Sequence, residues 1–323
     1  SLFSEKLTVA KVFGNFVRIA EAKGKGSVEL KLNMFAELIN SASKTEARYI
    51  ARVPLGNLRL GVGDPTIMDA LALNYLGEFT GNKKIRKEIE GGLKEKKDEK
   101  RAEEFRLRAK QRLREIIEAK YNIFSDLGVI AQKLKEKGLR GLDEIDIMPG
   151  APIRPTLAER LPSAKEIIEK LGRCAVETKY DGFRIQCHKD GNDVTIFSRQ
   201  SENMTQMFPE IVDAIKTQIR AKRVIFEGEA LAYSEETAQY FPFQVTMQRK
   251  RKYDIKEKSE ELPLRMFAFD IMYLDGKNLM GKPFAQRMKI LEEMIGKGEI
   301  ITPTRGIETD DPEGIEQYWH RRF

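Results

Sequence analysis

Cysteine is nearly absent from this chain: Cys174 and Cys187 are the only two in 323 residues. Two thiols cannot build a disulfide framework, and their spacing does not fit a metal site. No apolar stretch approaches the ~20 residues that a helix needs to cross a bilayer, which argues against a membrane protein. No secretory leader pattern opens the sequence. Internal repeats and low-complexity tails are also missing, which sets aside solenoids and arrays. Together these absences lead us to expect a cytoplasmic protein with reduced thiols.

What the chain has in quantity is charge. Asp, Glu, Lys and Arg make up 33% of the residues and hydrophobic side chains 41%, the balance of a globular protein with a heavily charged surface. A dense load of both signs also suits a thermophile. The length accommodates roughly two domains. The formal net charge is +7, and a basic excess favours acidic partners, nucleic acid first. That excess is local: residues 83–115 hold fourteen Lys/Arg against eight Asp/Glu, so the remainder is nearly neutral. Net charge alone therefore says little about DNA.

Helical periodicity dominates the first 140 residues. Thr8 can cap a segment whose apolar positions are Val9, Val12, Phe13, Phe16, Val17 and Ile19. Leu30, Leu32, Met34, Phe35, Leu38 and Ile39 suggest a second helix, and Thr45 can open a third that Pro54 and Gly56 end. Asp64 and Pro65 mark the start of a fourth. Residues 83–120 have few apolar positions and predict a mostly solvated helix broken at Gly91-Gly92, after which residues 121–134 regain an apolar period. Gly138, Gly141, Pro149, Gly150, Pro152, Pro155 and Pro162 then mark a crossing between domains. Beyond it strands dominate. Residues 183–188 and 194–199 form a hairpin about Lys189-Asp-Gly-Asn192, further strands are expected at 224–233 and 265–274, and helices at 164–171, 208–219 and 284–295.

The chemistry gathers around Glu177-Thr-Lys-Tyr-Asp-Gly-Phe-Arg184. Asp181-Gly182 is ordinary turn chemistry, and a plain turn into the hairpin explains it equally well. However, Arg184, Gln186 and His188 share one strand face, and Thr195, Phe197 and Arg199 share one face of the partner strand. If the faces coincide, two arginines converge near Lys179. Such a cluster binds phosphate and favours a neutral, nucleophilic lysine amine. Glu227 and Glu229 alternate with Gly228, which fits either a solvated edge or a divalent-metal site. The alternating aromatic run at 266–273 reads as core rather than as pocket.

The ordered motifs resemble those of the covalent nucleotidyltransferases. Lys179-Tyr-Asp-Gly-Phe-Arg184 is similar to the signature Lys, any residue, Asp-Gly. Ser198-Arg199, Glu227-Gly-Glu-Ala230 and Phe267-Ala-Phe-Asp-Ile-Met-Tyr-Leu-Asp-Gly276 follow in family order. Met148-Pro-Gly-Ala-Pro-Ile-Arg-Pro-Thr-Leu-Ala158 resembles the segment entering the adenylation domain of archaeal and eukaryotic replicative ATP-dependent DNA ligases. Leu58-Arg-Leu-Gly-Val-Gly-Asp-Pro-Thr-Ile-Met-Asp-Ala-Leu71 resembles a signature of their helical DNA-binding domain.

The resemblance implies an all-α DNA-binding domain over residues 1–140, a linker over 141–163, and an α+β adenylation domain with antiparallel sheets over 164–323. It implies that Lys179 forms a covalent lysyl-adenylate from ATP and that Asp181 supports it. Glu177 would read the adenine and Phe269 would stack on it. Arg184 would hold the ribose, and Arg199 would contact ribose or the nick phosphate. Glu229 would help bind Mg2+, and Arg59, Leu60 and Gly61 would lie against the DNA minor groove. The implied enzyme is monomeric, nucleoid-associated in a prokaryote, and seals nicked duplex DNA. Ser1-Leu-Phe-Ser resembles the tail of a peptide that binds a sliding clamp of the PCNA type, with Leu2 and Phe3 as plugs; a helix-packing start explains it equally. Against the family pattern the later lysine motifs and the OB-fold domain are missing, the helical domain begins partway, and residues 91–120 are unusually charged. An impaired fragment is therefore expected. An RNA ligase or capping-type enzyme, and a non-catalytic DNA-binding module, are the rival readings. Residues 58–71 argue against the first, and intact Lys179, Arg184, Arg199 and Glu229 against the second.

Overall fold

The computed structural model describes residues 7–22, 24, 26–56, 59, 61–93, 98–250 and 255–320. The chain divides into two compact units, Ser1–Ile67 and Met68–Phe323. The first holds helices α1 (Val9–Glu21), α2 (Ser27–Ser41) and α3 (Lys44–Arg52). Thr8 caps α1 as expected, its hydroxyl accepting the Lys11 N–H at 3.2 Å. The cap of α3 is Ser43 rather than Thr45. Ser43 has a glutamate three residues on, and the Ser43 and Glu46 side chains each accept the other's backbone N–H in a capping box. Helix α4 (Asp64–Asn74) crosses from one unit into the next.

The second unit begins with more helices: α5 (Leu76–Gly81), α6 (Lys83–Gly91), α7 (Asp98–Ile123) and α8 (Leu127–Lys137), then a 3-10 turn at Gly138–Glu144. The expected solvated helix is corrected here. Helix α7 is the spine of a core, with Ala109, Leu113 and Ile117 fully buried and Tyr121 nearly so. These residues recur every four positions, so few apolar side chains still make a continuous stripe. They pack with Met68, Ala72, Phe79, Ile130 and Leu134. The charges occupy the other faces, where Arg108–Glu104 and Arg114–Glu118 pair one turn apart. The apolar period expected over 121–134 is shared by two helices: α7 ends at Ile123, and the Asp126 carboxylate accepts the Gly128 and Val129 N–H groups to start α8.

The α+β part carries strands β1 (Cys174–Glu177), β2 (Phe183–Asp190), β3 (Asp193–Ser198), β4 (Arg223–Ser234), β5 (Gln239–Tyr240), β6 (Leu264–Leu274), β7 (Lys277–Asn278), β8 (Ile301–Pro303) and β9 (Gly306–Thr309). Its helices are α9 (Ala164–Leu171), α10 (Pro209–Gln218), α11 (Phe243–Thr246), α12 (Ile255–Glu261), α13 (Phe284–Met294) and α14 (Pro312–His320). Strands β3-β2-β4-β6-β7 run in that order, with β5 beside β4 and β8 beside β6; β1 and β9 form a separate pair. All pairings are antiparallel except β6–β8. The hairpin lies where the turn residues placed it, and α9 has the expected bounds. No helix among the described residues is long and apolar enough to cross a membrane.

The large sheet has two unlike faces. Ile185, Cys187, Phe226, Ala230, Met266, Ala268 and Ile271 face a core that α10 and α13 complete. The opposite face carries Arg184, Gln186, His188, Glu227, Glu229 and Asp270, set opposite one another by the β2–β4–β6 register. Strict alternation on β6 would have put Ile271 with Phe267. Two register shifts, between Ile225/Phe226 and between Glu227/Gly228, leave Met272 and Phe269 as extra residues. Each extra residue reverses the parity, so Ile271 enters the core and Asp270 turns to the polar face.

The α7 stripe generates a stability prediction. Leu113→Ala removes a fully buried side chain and should cost about 3–4 kcal/mol. Leu107→Ala, at a position 61% exposed, should stay within about 0.5 kcal/mol. Urea unfolding followed by circular dichroism distinguishes them, and equal effects would show that α7 is not the spine.

Candidate functional site

The polar face of the sheet is floored by charge, and the floor is ordered by pairing. Arg184, on β2, donates from Nη2 to Glu227 Oε2 at 2.5 Å and lies over the Phe269 ring, 5.3 Å from its centroid. Its Nε is buried and has no partner. The second oxygen of Glu227 accepts from Gln186 Nε2 at 2.8 Å. Asp270 is held in a two-pronged ion pair by Arg287 of α13, at 2.7 and 3.0 Å. Such bidentate pairing suits a guanidinium and satisfies a carboxylate withdrawn from water.

Phe269, the half-buried extra residue of the bulge, has its ring beside Arg184. Phe267, two residues earlier, stacks flat on Tyr180 at 3.9 Å. Tyr180 and Phe267 thus meet although they sit on different motifs. Gly228 permits a close approach, but from the core side rather than from the polar face. A Cβ there would strike Met266 Cε and the Phe267 carbonyl on the core side. Gly182 is likewise confined by the Ala230 carbonyl and Leu231, and its N–H donates to Glu229 Oε1 at 3.0 Å.

Glu229 is the gathering point. Burial pushes its carboxyl above the ordinary range. The Gly182 N–H, then the nearby charges of Lys179 and Arg184, pull it back, and Asp181 opposes them. Lys179, Asp181, Arg184 and Glu229 are therefore brought together. Lys179 lies on the loop between β1 and β2, exposed, and makes no hydrogen bond or ion pair among the described residues. Thr178 beside it is anchored to Tyr318 of α14, 3.2 Å between the hydroxyls. The faces of the hairpin coincide: Gln186 opposes Phe197 and His188 opposes Thr195. The ladder ends at the Ile185–Ser198 pair, so Arg199 continues the Arg184 row from an exposed turn.

Glu177 closes the β1–β9 pair opposite Gly306. It lines a hollow of about 230 Å³ with Thr304, Gly306, Met288 and Lys289. A larger cavity of about 300 Å³ lies between the sheet and the lead-in segment, bounded by Arg154, Thr156, Arg184, Glu227, Asp270 and Arg287. The lead-in segment also covers the far end of the polar face, where Ile147 and Ile153 pack on Ile225, Met272 and Tyr273. Among the described residues, no cluster of three or more His, Cys, Asp or Glu could hold a metal. Arg59 and Gly61 lie far along the chain in an exposed turn of the first unit, with φ of +49° and +74°. Leu60, Leu2 and Phe3 fall outside the described residues. Gln186, Asp270, Arg287, Tyr180 and Phe267 were not singled out as site residues. Of these, only Gln186 was signalled, by sharing a face with Arg184.

Burial, and then the Asp270 charge, push the Glu177 carboxyl up to about 7. The folded state thus disfavours ionised Glu177. The penalty is absent below the unfolded value of 4.5, grows as pH rises from there to about 7, and is full above it. Glu177→Gln should therefore stabilise the chain at pH 8 by about 1 kcal/mol, allowing for solvent screening, and should give no gain at pH 4. Thermal melts at the two pH values check this, and equal shifts would remove the electrostatic cause.

Comparison with known proteins accords with this arrangement. The family model described as "ATP dependent DNA ligase domain" matches residues 155–322, and the one described as "DNA ligase N terminus" matches residues 2–72. A protein named "Probable DNA ligase" from Dictyoglomus turgidum is 44% identical over 313 residues, covering 97% of this chain and 48% of its own length. A "DNA ligase" from Hyperthermus butylicus is 41% identical over 314 residues, covering 97% and 46%. "DNA ligase 1" of Methanosarcina barkeri is 35% identical over 323 residues, covering 98% and 53%. The chain spans about half the length of the curated relatives it matches. With a domain match over more than half of its residues, the chain belongs to the ATP-dependent DNA ligase family.

Proposed function

We propose that this chain supplies the DNA-gripping and adenylating parts of a ligase that seals 3'-hydroxyl/5'-phosphate nicks in duplex DNA with ATP. The observation that carries the proposal is the convergence of Lys179, at the open rim, on Arg184 and Glu229 of a floor whose carboxylates Glu227 and Asp270 are already paired. In this reading residues 1–140 grip DNA, 141–163 lead in, and 164–323 carry the nucleotide chemistry. The Lys179 amine, once deprotonated, attacks the α-phosphorus of ATP; a P–N bond forms and the P–O bond to pyrophosphate breaks. AMP then passes to the 5'-phosphate of the nick, and the 3'-hydroxyl displaces it to close the backbone.

The remaining residues fall into roles by what they leave unsatisfied. Arg184 has one buried donor without a partner, which suits a ribose hydroxyl, and its guanidinium is held by Glu227 and Phe269. Glu177, whose carboxyl burial raises to about 7, can donate to a ring nitrogen while protonated and accept from an exocyclic amine in either state. Phe269, or the stacked Tyr180–Phe267 pair, offers a flat apolar surface to a base. Arg199 engages no partner among the described residues, and its exposed turn suits a phosphate that moves during the reaction.

A divalent ion fits one carboxylate here, not two. Glu227 spends both oxygens on Arg184 and Gln186. Glu229 gives one oxygen to Gly182, which leaves the other for Mg2+, the remaining ligands being water and substrate phosphate oxygens. That ion would neutralise charge on the phosphates. In the first unit, the turn with Arg59 and Gly61 is proposed to lie against the minor groove, contacting phosphate and sugar rather than base edges. A monomer that docks on a sliding clamp through Leu2 and Phe3 completes the proposal.

With Mg2+ and α-labelled ATP, the chain should acquire a covalent, acid-labile label that Lys179→Ala abolishes, and Arg184→Ala should slow labelling by about 100-fold. A label that survives in Lys179→Ala, or no label on the parent chain, would sink the adenylation reading for this chain. Arg59→Ala should weaken binding to nicked duplexes of any sequence and lower the salt slope by about one unit. A sequence-dependent loss in a filter-binding assay would contradict the backbone contact.

A further inference from the structure

One buried amide joins the lead-in segment to the arginine of the site. Gln186 is 4% exposed. Its Oε1 accepts the Ile153 N–H at 2.7 Å and lies 2.8 Å from His188 Nε2. Its Nε2 donates to the Ile153 carbonyl at 3.0 Å and to Glu227 Oε1 at 2.8 Å. Two donors and two acceptor positions are thereby all used. A flipped amide would set N–H against N–H and oxygen against oxygen, so the neighbours dictate the orientation.

His188 makes that orientation firmer. Its Nδ1 accepts the Gly150 N–H at 3.0 Å, which leaves the ring proton on Nε2, facing Gln186. Burial keeps the ring neutral, its pKa pushed down to about 3, so this tautomer persists across the working range of pH. Glu227 is then fixed from both sides, by Gln186 at one oxygen and by Arg184 at the other. The far end of the chain of contacts is equally tied. Within the lead-in segment the Arg154 N–H donates to the Asn122 carbonyl at 3.0 Å, and Lys120 Nζ donates to the Ile145 carbonyl at 2.9 Å. Helix α7 therefore reaches Arg184 through Ile153, Gln186 and Glu227, a contiguous path of hydrogen bonds.

We propose that Gln186 is a positioning residue: acting through Glu227, it sets the Arg184 guanidinium, and it does so only while Ile153 of the lead-in segment is docked against it. A leucine of similar size would fill the space. It would leave Ile153 N–H, Ile153 C=O and Glu227 Oε1 without partners. The choice of an amide follows from the need to satisfy Ile153 N–H, Ile153 C=O, His188 Nε2–H and Glu227 Oε1 together. The positioning stands on geometry alone; its consequence for nucleotide binding rests on the function proposed above.

The test uses the full chain labelled with 15N. The Arg184 Nε–H resonance is assigned by its loss in Arg184→Lys, and its exchange with solvent is measured beside that of the Ile153 amide. Gln186→Glu keeps the acceptor for Ile153 N–H and His188 but removes the donor to Glu227. Gln186→Leu removes every bond. In both, exchange at Arg184 Nε–H should quicken by about tenfold, and the Kd for ATP should rise by a similar factor, as for loss of one hydrogen bond to a charged group. The double variant Q186E/E227Q returns a donor to the pair and should recover most of the slow exchange. If Gln186→Leu frees the Ile153 amide while Arg184 is unchanged, Gln186 is only a staple for the lead-in segment and the proposal falls. If the parent chain binds no ATP, the function proposed above falls, and the Arg184 exchange still decides the positioning.

Discussion

Buried charge on one face of a β-sheet has to be paired, and the form of this site follows from how the pairing is divided. Glu227 and Asp270 sit where water cannot fully solvate them, and each is taken up by an arginine, Arg184 and Arg287. Removing one partner of such a pair leaves an uncompensated charge. Two carboxylates are left incompletely satisfied, Glu229 with one N–H and Glu177 with burial and a neighbouring Asp270 charge. In a folded protein that asymmetry marks the positions where something else is meant to bind.

The asymmetry depends on a backbone irregularity. Without the extra residue at Phe269, Asp270 would lie on the core face and Phe269 on the polar one, and Arg287 could not reach its partner. The bulge moves one carboxylate to the polar face while Phe269 stays on the side of Arg184. Bulges beside active sites re-aim side chains in this way. Gly228 belongs to the same device. Its missing Cβ lets β6 approach across the irregular stretch, which explains a glycine between Glu227 and Glu229 better than access for a ligand does.

Much of this was legible in the residues. Alternation and the Asp-Gly turn found the hairpin and the shared face of Arg184, Gln186 and His188, because period-two patterning is local. Helix caps were found to within two residues, and Ser43 displaced Thr45 only because the reciprocal glutamate lies three residues after serine. Four features were out of reach. The bulges on β6 depend on pairing with β4, which no single strand reveals. The Asp270–Arg287 pair joins a strand to a helix across 17 residues. The burial of α7 was hidden because a long charged helix can still give one narrow stripe to a core. Short strands such as β1 and β9 passed unnoticed because each is completed by a partner more than a hundred residues away.

The site also divides by mobility in a way that suits the proposed chemistry. Groups that would hold the unchanging part of the substrate are half-buried, Arg184 paired with Glu227 in the floor and Glu177 at the end of β1. Groups that would act on phosphates, Lys179 and Arg199, stand on exposed loops at the rim. A reaction that passes one adenylate from ATP to lysine to DNA needs a nucleoside held still while its phosphorus changes partners twice. Rigid floor and open rim meet that need together. The lead-in segment then matters because it touches the floor through Gln186 and the helices through Asn122 and Lys120. A helical region engaged on DNA would thus have a mechanical route to the group that holds the nucleoside, without touching the rim where the phosphate moves.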